Sequence, residues 1–253
     1  MKKSSLLSLS LVSLVALVGC GKKGSASPKD LDKKVTALVN KYFIDGTITD
    51  PLTAVLTVTQ ELEIRGYYAV MNDMEPGKYT DKASFHIAYN QASYEWEVDP
   101  QEGEEWTEEE LDAAAELIED AQLQYIASAI FYLPIYNSAY EMDEEGERVV
   151  STSYFQEFKE EIEEYDGYFC SFGTDPLSWG YGYTYEGEVE DPGLSYQGKQ
   201  SVSYTYNSKG FLTKFVDSSS ESTKGFEDRE LDGKLVEKST YSIKYLSYDE
   251  AEA

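Results

Sequence analysis

The C-terminal third of the chain alternates between two kinds of side chain, and this pattern most constrains the fold. Trp179, Tyr181, Tyr183 and Tyr185 occupy every second position, with small or polar residues between them. A period of two is typical of a β-strand that has one apolar face. Aromatic residues also suit the pleated, half-buried surface of a sheet. The segment therefore predicts a strand with an aromatic face.

Further strands follow this one, separated by turn signals. Residues 202–206 and 235–246 alternate in the same way, and residues 211–217 run back between them. Residues 207–210 supply a turn. Asp232-Gly233 is a strong hairpin signal because both residues tolerate positive φ. The C-terminal third therefore predicts an antiparallel meander.

Three amphipathic helices are predicted before the meander. Ser27 and Pro28 suit the cap and the first position of a helix whose apolar stripe continues to Tyr42. Residues 106–133 form the longest helix, which opens with a T-x-x-E capping box. A third helix is expected over residues 153–165. Loops that contain turn residues or acidic clusters separate these elements.

Three more strands complete the prediction of fold class. Residues 53–64, 83–89 and 94–98 repeat the period of two. The chain shows no internal repeat and no clear linker, so residues 29–248 are expected to form one domain. The predicted fold is α+β: a curved antiparallel β-sheet, a half-barrel-like meander, with about three helices packed on one face.

The first twenty residues have the zones of a bacterial export signal. Lys2 and Lys3 precede an apolar run over residues 6–18. This run is shorter than the roughly 20 residues that a membrane-spanning helix needs, and it has the length of a signal core. It closes with the segment Leu17 to Cys20, which resembles the lipobox of bacterial lipoproteins at all four positions.

The lipobox resemblance implies where the mature protein is held. Residues 1–19 would be removed as a signal peptide, and diacylglycerol would be attached to the sulfur of Cys20. Two acyl chains suffice for stable anchoring. Residues 20–28 are expected to form a flexible tether. The expected location is the cell membrane, through this lipid anchor, facing outside the cytoplasm.

Charge and cysteine content exclude two classes of protein. Acidic residues outnumber basic ones by 48 to 21, which gives a formal charge of −27. A chain this acidic repels phosphate backbones, so no nucleic-acid partner is expected. The only cysteines are Cys20 and Cys170. If Cys20 carries lipid, Cys170 has no partner for a disulfide, and the domain must be held together by its hydrophobic core.

The sequence contains no catalytic motif. It has no nucleophile elbow, no zinc-protease helix, no P-loop and no dinucleotide fingerprint. His86 is the one histidine, and Cys170 is the one thiol that could pair with it. A strand-surface histidine and a buried thiol are the favoured interpretations. No catalytic residue, metal or cofactor is predicted. A carboxylate-based hydrolase remains as an alternative because two distant acids could meet in the fold.

The order of elements resembles the LolA/LppX-like group of bacterial lipoprotein carriers. The strand-turn pattern from Tyr204 to Gly210 and the final strand from Tyr241 to Tyr245 carry the resemblance, together with the helix placed first. The resemblance implies a curved half-barrel with helices over its concave side and an apolar cavity for a lipid or an acyl chain. It transfers no ligand-binding residue to this chain.

The aromatic row is the candidate ligand face. Trp179, Tyr181, Tyr183 and Tyr185 could form the core under a helix, or they could line an acyl pocket or stack against sugar rings. We expect a membrane-anchored extracytoplasmic lipoprotein that is not an enzyme and binds an apolar or lipid ligand. The alternative is a surface interaction module for protein or glycan.

Overall fold

In a computed structural model of the chain, the described residues are 26–38, 53–90, 92–93, 95–120, 140–142, 148–150, 154–190 and 193–246. Over these residues the fold is α+β and is built around one antiparallel sheet. No helix among them has the length and apolar character needed to cross a bilayer. Residues 1–25, which include the predicted signal peptide and Cys20, lie outside the described residues. So do residues 39–42 and 121–133 of the predicted helices and the domain's last two residues, 247–248.

The elements follow the chain in this order: α1 (Pro28–Leu38), β1 (Thr53–Gly66), α2 (Tyr67–Met71), β2 (Gly77–Asn90), β3 (Glu95–Val98), α3 (Glu108–Asp120), β4 (Tyr140–Met142), β5 (Arg148–Val150), α4 (Tyr154–Glu163), β6 (Tyr168–Thr174), β7 (Leu177–Val189), β8 (Leu194–Tyr206), β9 (Leu212–Gly225) and β10 (Gly233–Tyr245). A short 3-10 helix, Arg229–Leu231, joins β9 to β10. The predicted helices and strands are confirmed within the described residues.

Eight strands form the sheet, in the order β3-β2-β1-β10-β9-β8-β7-β6, and every neighbouring pair is antiparallel. Strands β7 to β10 make the predicted meander, and β6 extends it by one strand at the edge of the sheet. The last strand, β10, pairs with the first, β1, over thirteen consecutive positions from Ala54–Tyr245 to Gly66–Gly233. Strands β4 and β5 form a separate two-stranded sheet.

The core lies on one side of the eight-stranded sheet, which we call the helix face. Buried side chains of α1, α3 and α4 belong to the same apolar cluster as the inward residues of the strands. Each large apolar side chain that is fully buried stabilises the fold by about 1.5–3 kcal/mol. The main members are Leu31, Val35, Leu56, Val58, Phe85, Ile87, Ile118, Phe155, Trp179, Phe215 and Tyr241.

Capping boxes fix the starts of two helices; the sequence predicts the box at Thr107 and the capping role of Ser27. The Glu110 N–H donates to Thr107 Oγ1 at 3.2 Å, and the Thr107 N–H donates back to Glu110 Oε2 at 2.9 Å. Ser27 and Asp30 make the same exchange at the start of α1. The hydrogen bonds from Ser27 hold the pKa of the Asp30 carboxyl below its ordinary value. These contacts satisfy backbone donors that a helix leaves free in its first turn.

The start of α4 is capped by a different helix. Asp32 of α1 is 3 % exposed, and its carboxylate accepts the Phe155 N–H at 2.8 Å and the Gln156 N–H at 3.3 Å. Burial raises the pKa of the Asp32 carboxyl, while the two backbone hydrogen bonds oppose that shift. Asp32 therefore ties α1 to α4 at a point where both helices cover the sheet.

Several local features differ from the sequence prediction, which also lacks strands β4, β5 and β6. Helix α2 is absent from the prediction, and it follows β1 directly because Gly66 takes a φ of +58°. A Cβ at Gly66 would lie 1.9 Å from the carbonyl oxygen of Asp232, so only glycine fits this turn. Strand β9 also extends to Gly225, well beyond the predicted end at residue 217. Pairing with β8 and β10 holds this serine-rich segment in the sheet.

Candidate functional site

The aromatic row of β7 begins inside the core. Trp179 is 5 % exposed and stacks on Tyr204 of β8, with 4.7 Å between ring centroids. Its Nε1–H donates to the hydroxyl oxygen of Tyr206 at 3.1 Å. Phe155 and Phe158 of α4 pack against the same indole at 5.9 Å and 5.3 Å. Trp179 is therefore a core residue held between the sheet and α4.

Tyr181 marks the boundary of the apolar core. Its ring packs against Phe158, in the middle of α4, with 5.7 Å between ring centroids. The side chain is half-buried, and this burial, with a smaller contribution from the charge of Asp217, raises the pKa of its hydroxyl. Beyond this position the aromatic contacts of β7 are with other tyrosines instead of with the phenylalanines of α4.

Five tyrosines continue the row as a chain of contacting rings, which we call the tyrosine ladder. Neighbouring ring centroids lie 5.7, 5.0, 5.9 and 6.3 Å apart. Two of the rings are exposed, at 60 % for Tyr165 and 38 % for Tyr168. In order, the members are Tyr165, Tyr168, Tyr183, Tyr185 and Tyr196. The ladder presents aromatic surface across β6, β7 and β8.

A carboxylate fixes the position of Tyr185 in the tyrosine ladder. The Tyr185 hydroxyl donates to Oε2 of Glu221 at 2.5 Å, and the Tyr68 hydroxyl of α2 donates to Oε1 of the same group. Burial and these hydrogen bonds raise the pKa of both phenols well above the ordinary range. The Tyr185 ring lies over Gly198, where a Cβ would be 2.1 Å from the ring carbon Cζ.

Polar side chains lie beside the ladder on the helix face. Gln200 of β8 and Ser219 of β9 are buried, and Gln200 pairs with Tyr183 across the strands. The Ser219 hydroxyl donates to Oε2 of Glu237 at 3.3 Å. Burial raises the pKa of the Glu237 carboxyl. The ladder therefore borders a strip that offers hydrogen bonds rather than a wholly apolar wall.

The fold separates the histidine and the thiol that could have formed a catalytic pair. Cys170 lies on β6 on the helix face, opposite Tyr181, and it is half-buried. His86 lies on β2, on the other side of the sheet, as its pairing with Val55 requires. Burial raises the pKa of the Cys170 thiol to about 11, so it carries a proton at neutral pH. The described residues also contain no cluster of metal-ligating side chains.

Four residues of the site were not predicted from the sequence to belong to it: Tyr165, Tyr168, Tyr196 and Glu221. Tyr168 alternates with Cys170 and Phe172, which places it on the aromatic side of β6. Its stacking on Tyr183 depends on the register between β6 and β7. Glu221 stands in a run of serines and carries no local signal of its role. The predicted row itself divides into one core residue, Trp179, and three tyrosines that lead out of the core.

Comparison of the chain with protein-family models and with curated proteins finds no match. A function can therefore be inferred only from the fold and from the tyrosine ladder.

Proposed function

We propose that this chain is a membrane-anchored extracytoplasmic lipoprotein that binds an apolar or lipid ligand and has no enzymatic activity. The observation that carries the proposal is the tyrosine ladder. A row of five contacting rings that leaves the core and ends in exposed positions supplies a large apolar surface with few rotatable bonds. Such surface is characteristic of binding sites.

The shape of the domain belongs to the same proposal. We infer that the eight-stranded sheet curves as an unclosed half-barrel, with α1, α3 and α4 as the helices on its one face. The resemblance to the LolA/LppX-like carriers supports this shape. So does the open order of the sheet, whose outer strands are β3 and β6. An acyl chain would lie along the ladder between α4 and α2.

The proposal of a lipid anchor depends on the segment Leu17 to Cys20. Its four positions fit the lipobox, and an acylated Cys20 would hold the domain within a short tether of the bilayer. Replacing Cys20 by serine removes the sulfur that accepts the lipid. We expect the Cys20→Ser chain to keep its leader and to lack a covalent acyl mass. Processing at residue 20 with an unchanged acyl mass in the variant would contradict the anchor.

Ligand binding is tested by native mass spectrometry of the full chain extracted from its own membrane in a mild detergent. We expect an additional lipid mass that leaves on collisional activation, unlike the covalent anchor. Tyr183→Ala removes the central ring of the tyrosine ladder, which contacts both Tyr168 and Tyr185. This variant should therefore show a several-fold smaller amount of the lipid adduct. Tyr79→Ala is the matched control, since Tyr79 is a partly exposed tyrosine on the distant strand β2.

The result that overturns the apolar-ligand proposal is equally definite. The proposal of a lipid carrier would be contradicted if the wild-type chain kept its covalent acyl chains but carried no dissociable lipid. An adduct that falls equally in Tyr183→Ala and Tyr79→Ala would place the ligand away from the ladder.

A surface module for glycan or protein is the second candidate, and a specific observation favours it. The ladder carries phenolic hydroxyls at its rim and borders Gln200, Ser219 and Glu237, which suits a ligand that has both flat apolar faces and hydroxyl groups. A glycan array probed with the full chain distinguishes this candidate from the first. Glycan binding that is lost in Tyr168→Ala, without a lipid adduct, would select it.

A further inference from the structure

A band of polar side chains crosses the helix face between two apolar clusters. The larger cluster lies under α1, α3 and α4, and the smaller one lies around α2. Between them run two rows of paired positions, one from Tyr181 on β7 to Asp81 on β2 and the next from Tyr183 to Tyr79. We call these two rows the central strip. The polar residues in its middle are Gln200, Ser219, Asp217, Glu237 and Ser239.

The central strip leads from solvent to the tyrosine ladder. Gln60 and Asp81, on β1 and β2, are exposed, and Glu237 on β10 is half-buried. Gln200 and Ser219, on β8 and β9, are buried. The ring of Tyr183, at the centre of the ladder, forms the β7 end of the same row. A ligand on the ladder therefore has these polar groups beside it.

Gln200 is a buried polar side chain that lacks a partner. It is 8 % exposed, and its amide forms no hydrogen bond in the part of the chain that the structure describes. Its position lies between Tyr183 and Ser219. Buried polar groups are usually hydrogen-bonded, and an exception calls for an explanation. The free amide indicates that a polar group of a ligand lies beside Tyr183.

The charge of the helix face is negative. All nine basic residues of the eight strands lie on the opposite side of the sheet, as the strand registers require. Helices α2 and α3 contain no basic residue, and the one in α4, Lys159, is ion-paired with Glu163. The strands place four acids on the helix face: Asp81, Asp217, Glu221 and Glu237.

Two of these carboxylates lie close together beside the aromatic rings. Burial raises the pKa of the Tyr181 hydroxyl, and the charge of Asp217 adds to that shift, so this carboxylate acts on the ring. Asp217 pairs with Ser239, which is two residues from Glu237 on the same face of β10. Such diagonal neighbours in a sheet lie about 7–8 Å apart. Negative charge is therefore concentrated next to the tyrosines.

Glu237 occupies a place that disfavours its own charge. Burial raises the pKa of its carboxyl, and Ser219 is the hydrogen-bond donor that offsets this effect. A carboxyl group with a pKa raised by burial is typical of functional sites. A positive charge nearby would stabilise the ionised form of Glu237.

We propose that the ligand of the tyrosine ladder carries an ammonium group, which lies on the central strip while the apolar part of the ligand lies along the ladder. Tyrosine rings attract organic cations through the negative charge of their faces, and carboxylates add charge pairing. This inference rests on the proposed function and deepens it by naming the charge of the ligand. An anionic lipid would meet like charge on this face.

The test compares three probes that share a six-carbon tail: hexyltrimethylammonium, hexanol and hexanesulfonate. Each probe is titrated into the full chain in neutral maltoside micelles, and calorimetry measures the dissociation constant, with empty micelles as the blank. We expect the ammonium probe to bind about tenfold more tightly than hexanol, and the sulfonate to bind more weakly than hexanol. Because the tail is constant, the ratios report the effect of the head group.

Two variants locate the ammonium group. Glu237→Gln removes one negative charge, so it should weaken binding of the ammonium probe about three- to tenfold and leave hexanol unchanged. Tyr183→Leu keeps an apolar side chain without the ring, and it should weaken the ammonium probe more than hexanol. Glu61→Gln is the matched control, because it removes the same charge from the opposite side of the sheet. It should leave the affinity within about twofold.

The results that overturn the inference also separate it from the proposed function. Equal affinities for the three probes would overturn it, as would equal losses in Glu237→Gln and Glu61→Gln. A dissociable lipid of net negative charge in the native mass spectrum would overturn it while supporting an apolar-ligand carrier. Selective binding of the ammonium probe by a chain that carries no dissociable lipid would support the ammonium site and contradict the carrier.

Discussion

Tyr185 of β7 reaches across β8 to donate its hydroxyl hydrogen to Glu221 of β9 at 2.5 Å. The ring can cross because the residue between them is Gly198. The second carboxylate oxygen of Glu221 accepts from Tyr68, so one acid joins α2 to the tyrosine ladder. The position of the ladder thus depends on a contact between three strands and a helix.

Glu221→Ala should lower the free energy of unfolding by about 1–3 kcal/mol, because it leaves two partly buried phenols without their acceptor. Urea denaturation followed by tyrosine fluorescence measures the loss. Glu221→Gln keeps one carbonyl oxygen and should lose less. Equal stability of the alanine variant and the wild type would show that water replaces Glu221 at no cost.

Asp32→Ala should destabilise the domain by about 1–3 kcal/mol, since it leaves the first N–H groups of α4 buried without an acceptor. Thermal and urea unfolding both report the change. Asp32→Asn retains an acceptor oxygen and should recover part of the stability. Asp30→Ala, which alters an exposed cap of α1, should have the smaller effect. The reverse order of the two alanine variants would contradict the role of Asp32.

Gly182→Ala should cost about 1–3 kcal/mol, because the added methyl group meets the Gln200 carbonyl oxygen at 2.0 Å and β7 must move away from β8. Gly77→Ala is the control: its Cβ would lie 3.6 Å from the Tyr79 ring, an ordinary contact. Comparison of the two midpoints of urea denaturation separates crowding from the general effect of replacing glycine. Similar midpoints would mean that the two strands can separate freely.

Glu237→Gln should make the domain more stable at pH 7. Burial raises the pKa of the Glu237 carboxyl in the folded state above its value in the unfolded chain. The folded state therefore binds this proton more tightly, and the wild type loses stability as the pH rises through that raised pKa. The amide is neutral at every pH and still accepts from Ser219. The advantage of the variant should shrink as the pH falls toward 4, which denaturation at several pH values measures; a constant difference would contradict this account.

Local signals in the sequence predict most of the elements. The capping boxes at Ser27 and Thr107 and the period of two in β1, β2 and β7 are properties of short segments, and the fold retains them. Helix α2 is missed because five residues are too few to show a helical period. Its formation depends on Gly66 and on packing of Tyr68 and Ala69 against Ile64.

The site is harder to predict because its contacts join distant segments. The row from Trp179 to Tyr185 is visible in the sequence, whereas its division between core and ladder depends on which of its rings contact Phe158 of α4. The serines of β9 look like a loop until their partners in β8 and β10 are known. The net charge hides the fact that basic side chains of the central strands share one side of the sheet, because this arrangement appears only once the strand registers are known.

The pairing of β1 with β10 also limits the order in which the fold can be completed. Ala54 and Tyr245 are partners, so the middle of the sheet closes only after almost the whole chain has been synthesised. Until then β1 and β9 are both outer strands with free backbone groups, and such strands invite pairing with other chains. Contacts between residues so far apart in sequence form slowly. A chain that stops after β9 would form two smaller sheets in place of one. The thirteen-residue strand β10 joins them, because it pairs with β1 on one side and with β9 on the other.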